Sequence, residues 1–468
     1  MIERTVIQPA LSVLCATCAP FAVLAADSLP VSSFEVIESA GLENACYPDA
    51  DHYAAEFLYQ HPDVCFWEID RAGERVLARG VPAPPADAVL LPLPSSGDDT
   101  AVIAELVAAN AGGALVGRGV YTVGELHITV PIDIFQMPMV AAPGADSAVV
   151  IESPDVRLFD SPVDGAGSAS VRTGYRVETG SDRFTLVGGG FGDVLHRQSR
   201  NVAGVSVRGA DDIHLACNTF HDILNDTDDP ESTSRANAIL LNGGGRDSIA
   251  GGVIANNRAR ELQSNGQRQD AEFLTIQSYT STDSDKPLRV FANRTIDAGK
   301  RFTKHQEDDA LVLSNEFEWT VKAGPLGDRK LLSHVEIQFS DDIVARNNRV
   351  RIGAESRFDY VFNTDVGAGE ERQRNVRYDC NDIEIRDRLD LESGNRPHVF
   401  VARASRRPRG STDFAAKDSG ASGNRVRGEG SVSYHYWFGE GYPDDGGRFE
   451  HDDNVVTVPA LEGRFKSP

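Results

Sequence analysis

The chain has 468 residues, 41% hydrophobic and 25% charged, a balance that excludes a disordered polypeptide. Its formal net charge of -24 argues against a basic face for nucleic acid, so an acidic partner would need a local basic cleft or a bridging cation.

Residues 1–26 read as a secretory signal: Arg4, then a largely apolar stretch, then the small residues Ala25 and Ala26 for cleavage. No later run is long and apolar enough to span a membrane. A secreted or periplasmic monomer is therefore expected. In such an oxidising compartment Cys46 and Cys65 are close enough in sequence to close a short disulfide loop, while Cys217 and Cys380 are expected as buried thiols. Residues 27–95 form a non-repetitive extension ending in a Pro-rich linker, Val81 to Pro94.

Asp98, Asp99 and Thr100 then precede Val102, Ile103, Leu106 and Val107, whose spacing predicts a helix that Gly112-Gly113 stops. From there to residue 445 the pattern is repetitive, and residues 446–468 read as a tail. Asp211-Asp212, Asp308-Asp309 and Asp341-Asp342 each stand in one frame with an asparagine: Asn218, Asn315 and Asn348. Further copies fall at Asn257, Asn293, Asn381 and Asn424, with successive gaps of 39, 36, 22, 33, 33 and 43 residues. Apolar alternation of period two between them points to an all-β solenoid, a right-handed parallel β-helix with loops of varying length. Asparagine suits the turns because it tolerates left-handed backbone, and its amide can bond the next rung. The residue two after each asparagine should face inward: Phe220, Ala259, Thr295, Phe317, Val350, Ile383 and Val426. Outward positions alternate in sign from Glu316/Glu318 to Arg349/Arg351, Asp382/Glu384 and Arg425/Arg427, which predicts a charge ladder across the strand spacing.

Three features could carry chemistry. Asp308, Asp309, Asp341 and Asp342 share a phase on adjacent rungs, where they would cap turns or hold Ca2+. Lys304 falls where other rungs point an aliphatic side chain inward, which requires either a slip of one residue or a cleft. His305 beside it should face outward as a proton acceptor, with Lys304 or Arg301 neutralising a substrate carboxylate. Glu272, Gln277 and Arg268 should stand one turn earlier as substrate contacts. The aromatic run Tyr434 to Tyr442 reads as the end of the coil or a platform for sugar rings.

The helix, Gly112-Gly113 and Gly119-Val120-Tyr121 resemble the N-terminal cap of the pectate-lyase-like β-helix superfamily, in which a capping helix covers the open end of the coil. Asn293-Arg294-Thr295-Ile296 through Asn315-Glu316-Phe317, with Glu272 to Ser278, resembles polysaccharide lyase family six, the alginate lyases and chondroitinase B. That resemblance places Lys304-His305 at the family's catalytic Arg-His pair and Gln277 at its lysine base, where a glutamine cannot take a proton. It implies cleavage of an acidic extracellular polysaccharide by β-elimination. A non-catalytic glycan-binding β-helix and a glycoside hydrolase on the same fold are the alternatives.

Overall fold

The structure, a computed structural model, describes residues 65–466 apart from short segments, the longest being 243–248, 278–286, 367–372, 389–396, 405–415 and 439–448. The signal, Cys46 and Arg268 lie outside the described residues. Strands join three parallel sheets of 13, 12 and 12 strands; from Ala114–Val116 onward, counting only the strands of these sheets, each pairs with the third strand before it and the third after it where these exist, and Val89–Leu90 pairs with Ala114–Val116. The chain thus winds as a coil of three strands per turn. No helix among the described residues is long and apolar enough to cross a membrane.

The predicted helix spans Thr100–Ala109 and buries Ile103 and Val107 in the same core as the strands. Its partner, Leu126–Ile128, is the first strand of the third sheet. Asp99 occupies the N-cap position, but its carboxylate accepts from the backbone N–H of Ser95 (2.8 Å) and Thr122 (3.2 Å), not from the helix. The coil is longer than its sequence pattern indicates. Val89–Leu90 already belongs to the first sheet, and the predicted tail supplies Phe449–Glu450, Val455–Val456 and Ala460–Lys466, one strand to each sheet.

The asparagines form a continuous buried ladder. Each side-chain oxygen accepts from the backbone N–H and side-chain amide of the asparagine one rung earlier, at 2.7–3.0 Å from Asn218 to Asn454. The left-handed residue of the turn is not the asparagine but the one before it: Cys217, Asn256, Ala292, Ser314, Asn347 and Cys380 all have φ of 52–58°. Asn348 serves two donors of Asn315 and itself donates to Val312 O (2.9 Å) and Asn381 (3.0 Å). Asn348→Ala should therefore leave several buried polar groups unpaired and cost on the order of 3 kcal/mol. A urea midpoint within error of the parent would contradict this role.

The predicted inward row is buried throughout, from Phe220 to Val426. On the second sheet Arg294, Glu316, Arg349, Asp382 and Arg425 are register partners on successive rungs. Glu316 pairs with Arg294 (3.2 Å) and with Arg351 (2.9 Å).

The disulfide differs from expectation. Cys65 is bonded to Cys217, not to Cys46, with Cα atoms 5.3 Å apart and 152 residues between them in sequence. Cys380 is also disulfide-bonded, so neither Cys217 nor Cys380 is a free thiol. The reason lies in the turn. The left-handed residue before each ladder asparagine is where Cys217 meets Cys65, which opens the antiparallel hairpin Phe66–Arg71/Glu74–Arg79 packed against the coil.

Candidate functional site

The strands Ala271–Gln277, Arg301–His305 and Ser333–Gln338 are consecutive in the third sheet. Their register decides where the singled-out residues point. Thr303 and His305 pair with Val335 and Ile337, and Lys304 pairs with Glu336 on one side and Thr275 on the other. The strand is thus offset by one residue from the pattern. Lys304 faces outward and His305 faces the core, at the position that Ile276 and Ile337 fill on neighbouring rungs. The cause is a corner of only two residues, Gly299-Lys300, between Arg294–Ala298 and Arg301–His305. Gly299 has φ +78°, and a Cβ there would lie 2.3 Å from the carbonyl oxygen of Ala271, so only glycine fits.

His305 cannot act as a surface base. It is fully buried, burial pushes its pKa down to about 3, and its Nε2 is 2.8 Å from the Thr303 hydroxyl inside the coil. Gln277 stands at the edge of the site, where its amide oxygen faces the Arg235 guanidinium. As expected, Glu272 lies one strand from Arg301.

What gathers on the outer face is an ionic network around Arg301. Its Nη1 donates to Asp270 (3.0 Å) and Glu272 (2.6 Å), and its Nε donates to Glu336. Lys300 Nζ donates to Asp270 (2.8 Å), and Arg235 lies 3.7 Å from the same carboxylate. All these side chains are buried or nearly so. Burial opposes the charge on Arg301, but Glu336, Glu272 and Asp270 raise its pKa further, so it stays protonated. Burial likewise opposes the charge on Asp270, yet Arg301 and Lys300 hold it well below the usual carboxylate range. Lys304 is different. It is 5% exposed and, among the described residues, has no hydrogen-bond partner or ion pair, although Glu336 is its register neighbour. Burial and the adjacent Arg301 charge both lower its pKa.

Further polar groups on this face are buried and unpartnered: the Asn237 amide nitrogen, Glu272 Oε2, the Ser333 hydroxyl and both amide atoms of Asn363. Asn237 pairs in register with Glu272, and Asn363 with Glu336, so these groups continue the site one strand further on each side. Asp270, Glu336, Arg235 and Asn237 belong to no motif that a reading of the sequence singles out. The signal that finds them is the third-sheet register, which the Gly299 corner shifts.

The proposed calcium residues are not assembled in this way. Asp309 and Asp342 occupy left-handed turn positions on adjacent rungs, and Asp342 accepts from the Asn375 amide (2.8 Å). Asp309 N–H donates to the Asp341 carbonyl (3.1 Å), and Asp308 lies outside the described residues. Among the described residues, the acidic and histidine side chains close enough to share an ion are Asp193, His221 and Asp222 on the second sheet. Arg260 stands 3.9 Å from Asp222 there. The aromatic strand Val432–Phe438 does not end the coil, because Ala460–Lys466 pairs beyond it. Its Tyr434 and Trp437 lie half-buried beside His398.

No protein-family profile and no curated protein sequence matches the chain. Solved structures do. The Dettilon tailspike protein is 11% identical with a TM-score of 0.37, over 77% of this chain and 65% of that one. The surface adhesin PfbA of Streptococcus pneumoniae is 8% identical with a TM-score of 0.40, over 81% and 97%. The catalytic unit of a GH87 α-1,3-glucanase from Streptomyces thermodiastaticus is 14% identical with a TM-score of 0.38, over 84% and 72%. The chain spans just under two thirds of the tailspike. With three parallel sheets wound three strands to the turn around one core, the chain is a parallel β-helix.

Proposed function

We propose that this protein binds an acidic polysaccharide on the outer face of the third sheet, with Lys304 as the counter-ion of a sugar carboxylate. One observation carries the reading. Four cations, Arg235, Lys300, Arg301 and Lys304, share this face with three carboxylates, Asp270, Glu272 and Glu336, and Lys304 is the cation left without a partner. A buried, unpaired ammonium is costly, and an incoming carboxylate relieves that cost. Export of the chain to a secreted or periplasmic location accords with its disulfides.

The test is binding of the intact protein to alginate, polygalacturonate, chondroitin and hyaluronan by affinity electrophoresis and calorimetry. At least one should bind, more weakly as salt rises. Lys304→Met should weaken it by about tenfold to a hundredfold, the worth of a hydrogen bond to a charged group. Unchanged affinity in that variant, or no acidic glycan bound, would sink the proposal.

A second reading, cleavage by β-elimination, is favoured by the lowered pKa of Lys304, since a base must be neutral to act. In it the Lys304 amine takes the proton α to the carboxylate, the bond to the leaving sugar oxygen breaks as the double bond forms, and the ammonium returns the proton to that oxygen. With Lys304 neutral, however, the remaining three cations and three carboxylates cancel, leaving no surplus charge to stabilise the enolate. Binding is therefore the stronger reading. Ultraviolet absorbance from unsaturated uronate ends, lost in Lys304→Met, would reverse that order. Hydrolysis is disfavoured because Asp270 is held ionised and cannot serve as a general acid.

A further inference from the structure

Resting on the acidic-glycan reading, we infer that the preferred ligand is a mixed polysaccharide, in which isolated acidic sugars are separated by neutral ones, and not a polyuronate charged at every residue. The inference comes from what flanks Lys304 along the coil axis. Two rungs before it the outward positions are Asn237 and Leu240; two rungs after it they are Tyr360 and Asn363. None is cationic. The third outward row holds no cation either: Asn242, Gln277, Gln306 and Gln338 are followed in register by Asp365. On the rungs immediately beside Lys304 stand Thr275, Glu272, Glu336 and Ser333, so a neighbouring carboxylate would meet hydroxyls or acidic side chains.

The unpartnered atoms indicate what these flanks do receive. Asn363 is completely buried with neither its amide oxygen nor its nitrogen satisfied. Asn237 is completely buried, its oxygen accepting from the Thr275 hydroxyl (2.8 Å) and its nitrogen unused. Buried amides that lack partners call for a group able to both donate and accept. Sugar hydroxyls and N-acetyl groups do both, whereas an ionised carboxylate only accepts. From Asn237 to Asn363 is four strand spacings, about 19 Å. That length suits a short oligosaccharide lying along the coil with its acidic residue over Lys304 and neutral residues over the two asparagines.

The experiment compares oligosaccharides of matched length from hyaluronan, which alternates glucuronate with N-acetylglucosamine, and from polygalacturonate, charged on every residue. Calorimetry on the intact protein should give about tenfold tighter binding to the hyaluronan series. Asn363→Ala should weaken that series by about tenfold and leave polygalacturonate affinity nearly unchanged, so that the preference collapses. Asn363→Asp, which keeps the shape and adds charge, should weaken both. If polygalacturonate binds as tightly as hyaluronan, and through Lys304, this inference falls while the acidic-glycan reading stands. If neither series binds, this inference falls, and the acidic-glycan reading falls with it only when alginate and chondroitin also fail to bind. If hyaluronan is preferred but Asn363→Ala changes nothing, the asparagine holds buried water only and the flanking subsites are refuted.

Discussion

Arg301→Met is expected to lower the stability of the coil by about 3–5 kcal/mol, the usual consequence of removing one partner from a buried ionic group. The methionine fills much of the arginine volume, so little of the loss would come from packing. What remains is three buried carboxylates, Asp270, Glu272 and Glu336, that have lost the guanidinium bonded to all three. Urea unfolding followed by circular dichroism measures the effect. Adding Glu272→Gln and Glu336→Gln to the same chain should recover a large part of it, because neutral amides need no counter-charge. A single Arg301→Met variant within about 1 kcal/mol of the parent would mean that these groups are solvated, and the closed ionic centre would have to be abandoned.

The second large effect is acid sensitivity set by histidines inside the coil. His334 is fully buried, with its ring stacked on Phe302 (4.9 Å) and edge-on to Phe362 (5.7 Å) in a column that runs from Phe273 to Tyr436. Its two ring nitrogens have no partners among the described residues. Burial pushes the pKa of His334, and that of His305, to about 3 from an ordinary 6.5. No carboxylate contributes to either shift, which comes from desolvation alone. The unfolded chain binds these protons first, so stability is full above about pH 6.5. It falls by about 1.4 kcal/mol per pH unit for each histidine as pH drops toward 3. At pH 5 the expected loss is about 2 kcal/mol per histidine relative to pH 7. His334→Phe continues the aromatic column and should remove one proton from the pH dependence. An unchanged slope between pH 7 and 4 would show that His334 does not titrate with unfolding.

The two histidines also show where sequence reading stops. The β-helix was legible because its information repeats. Asn218, Asn257, Asn293 and their successors recur with an inward residue two places on, and each rung restates the period. The alternating charges of the second sheet were legible for the same reason. The third sheet was not, because it follows corners of unequal length. The two-residue corner at Gly299-Lys300 moves Arg301–His305 by one position, and with a side-chain period of two a one-residue shift exchanges the faces. That exchange put Lys304 outside and His305 inside. Asp270, Glu336 and Asn363 come from three separate rungs, which no contiguous motif spans. The Cys65–Cys217 bond escaped for a related reason. Cysteine pairing follows proximity in space, and here the ends are 152 residues apart.

The spacing of the asparagine ladder has an evolutionary consequence. Between consecutive members the chain spends anything from 22 to 43 residues, yet the amide-to-amide distance hardly changes. Insertions and deletions are thus absorbed in excursions from the coil and are not transmitted along it. A gene encoding such a scaffold can lengthen, trim or exchange the segments beside the Lys304 face one at a time while every other rung keeps its register. Recognition can then drift quickly on a backbone that stays the same, and two such proteins can share nearly every turn of the coil while having no ligand in common.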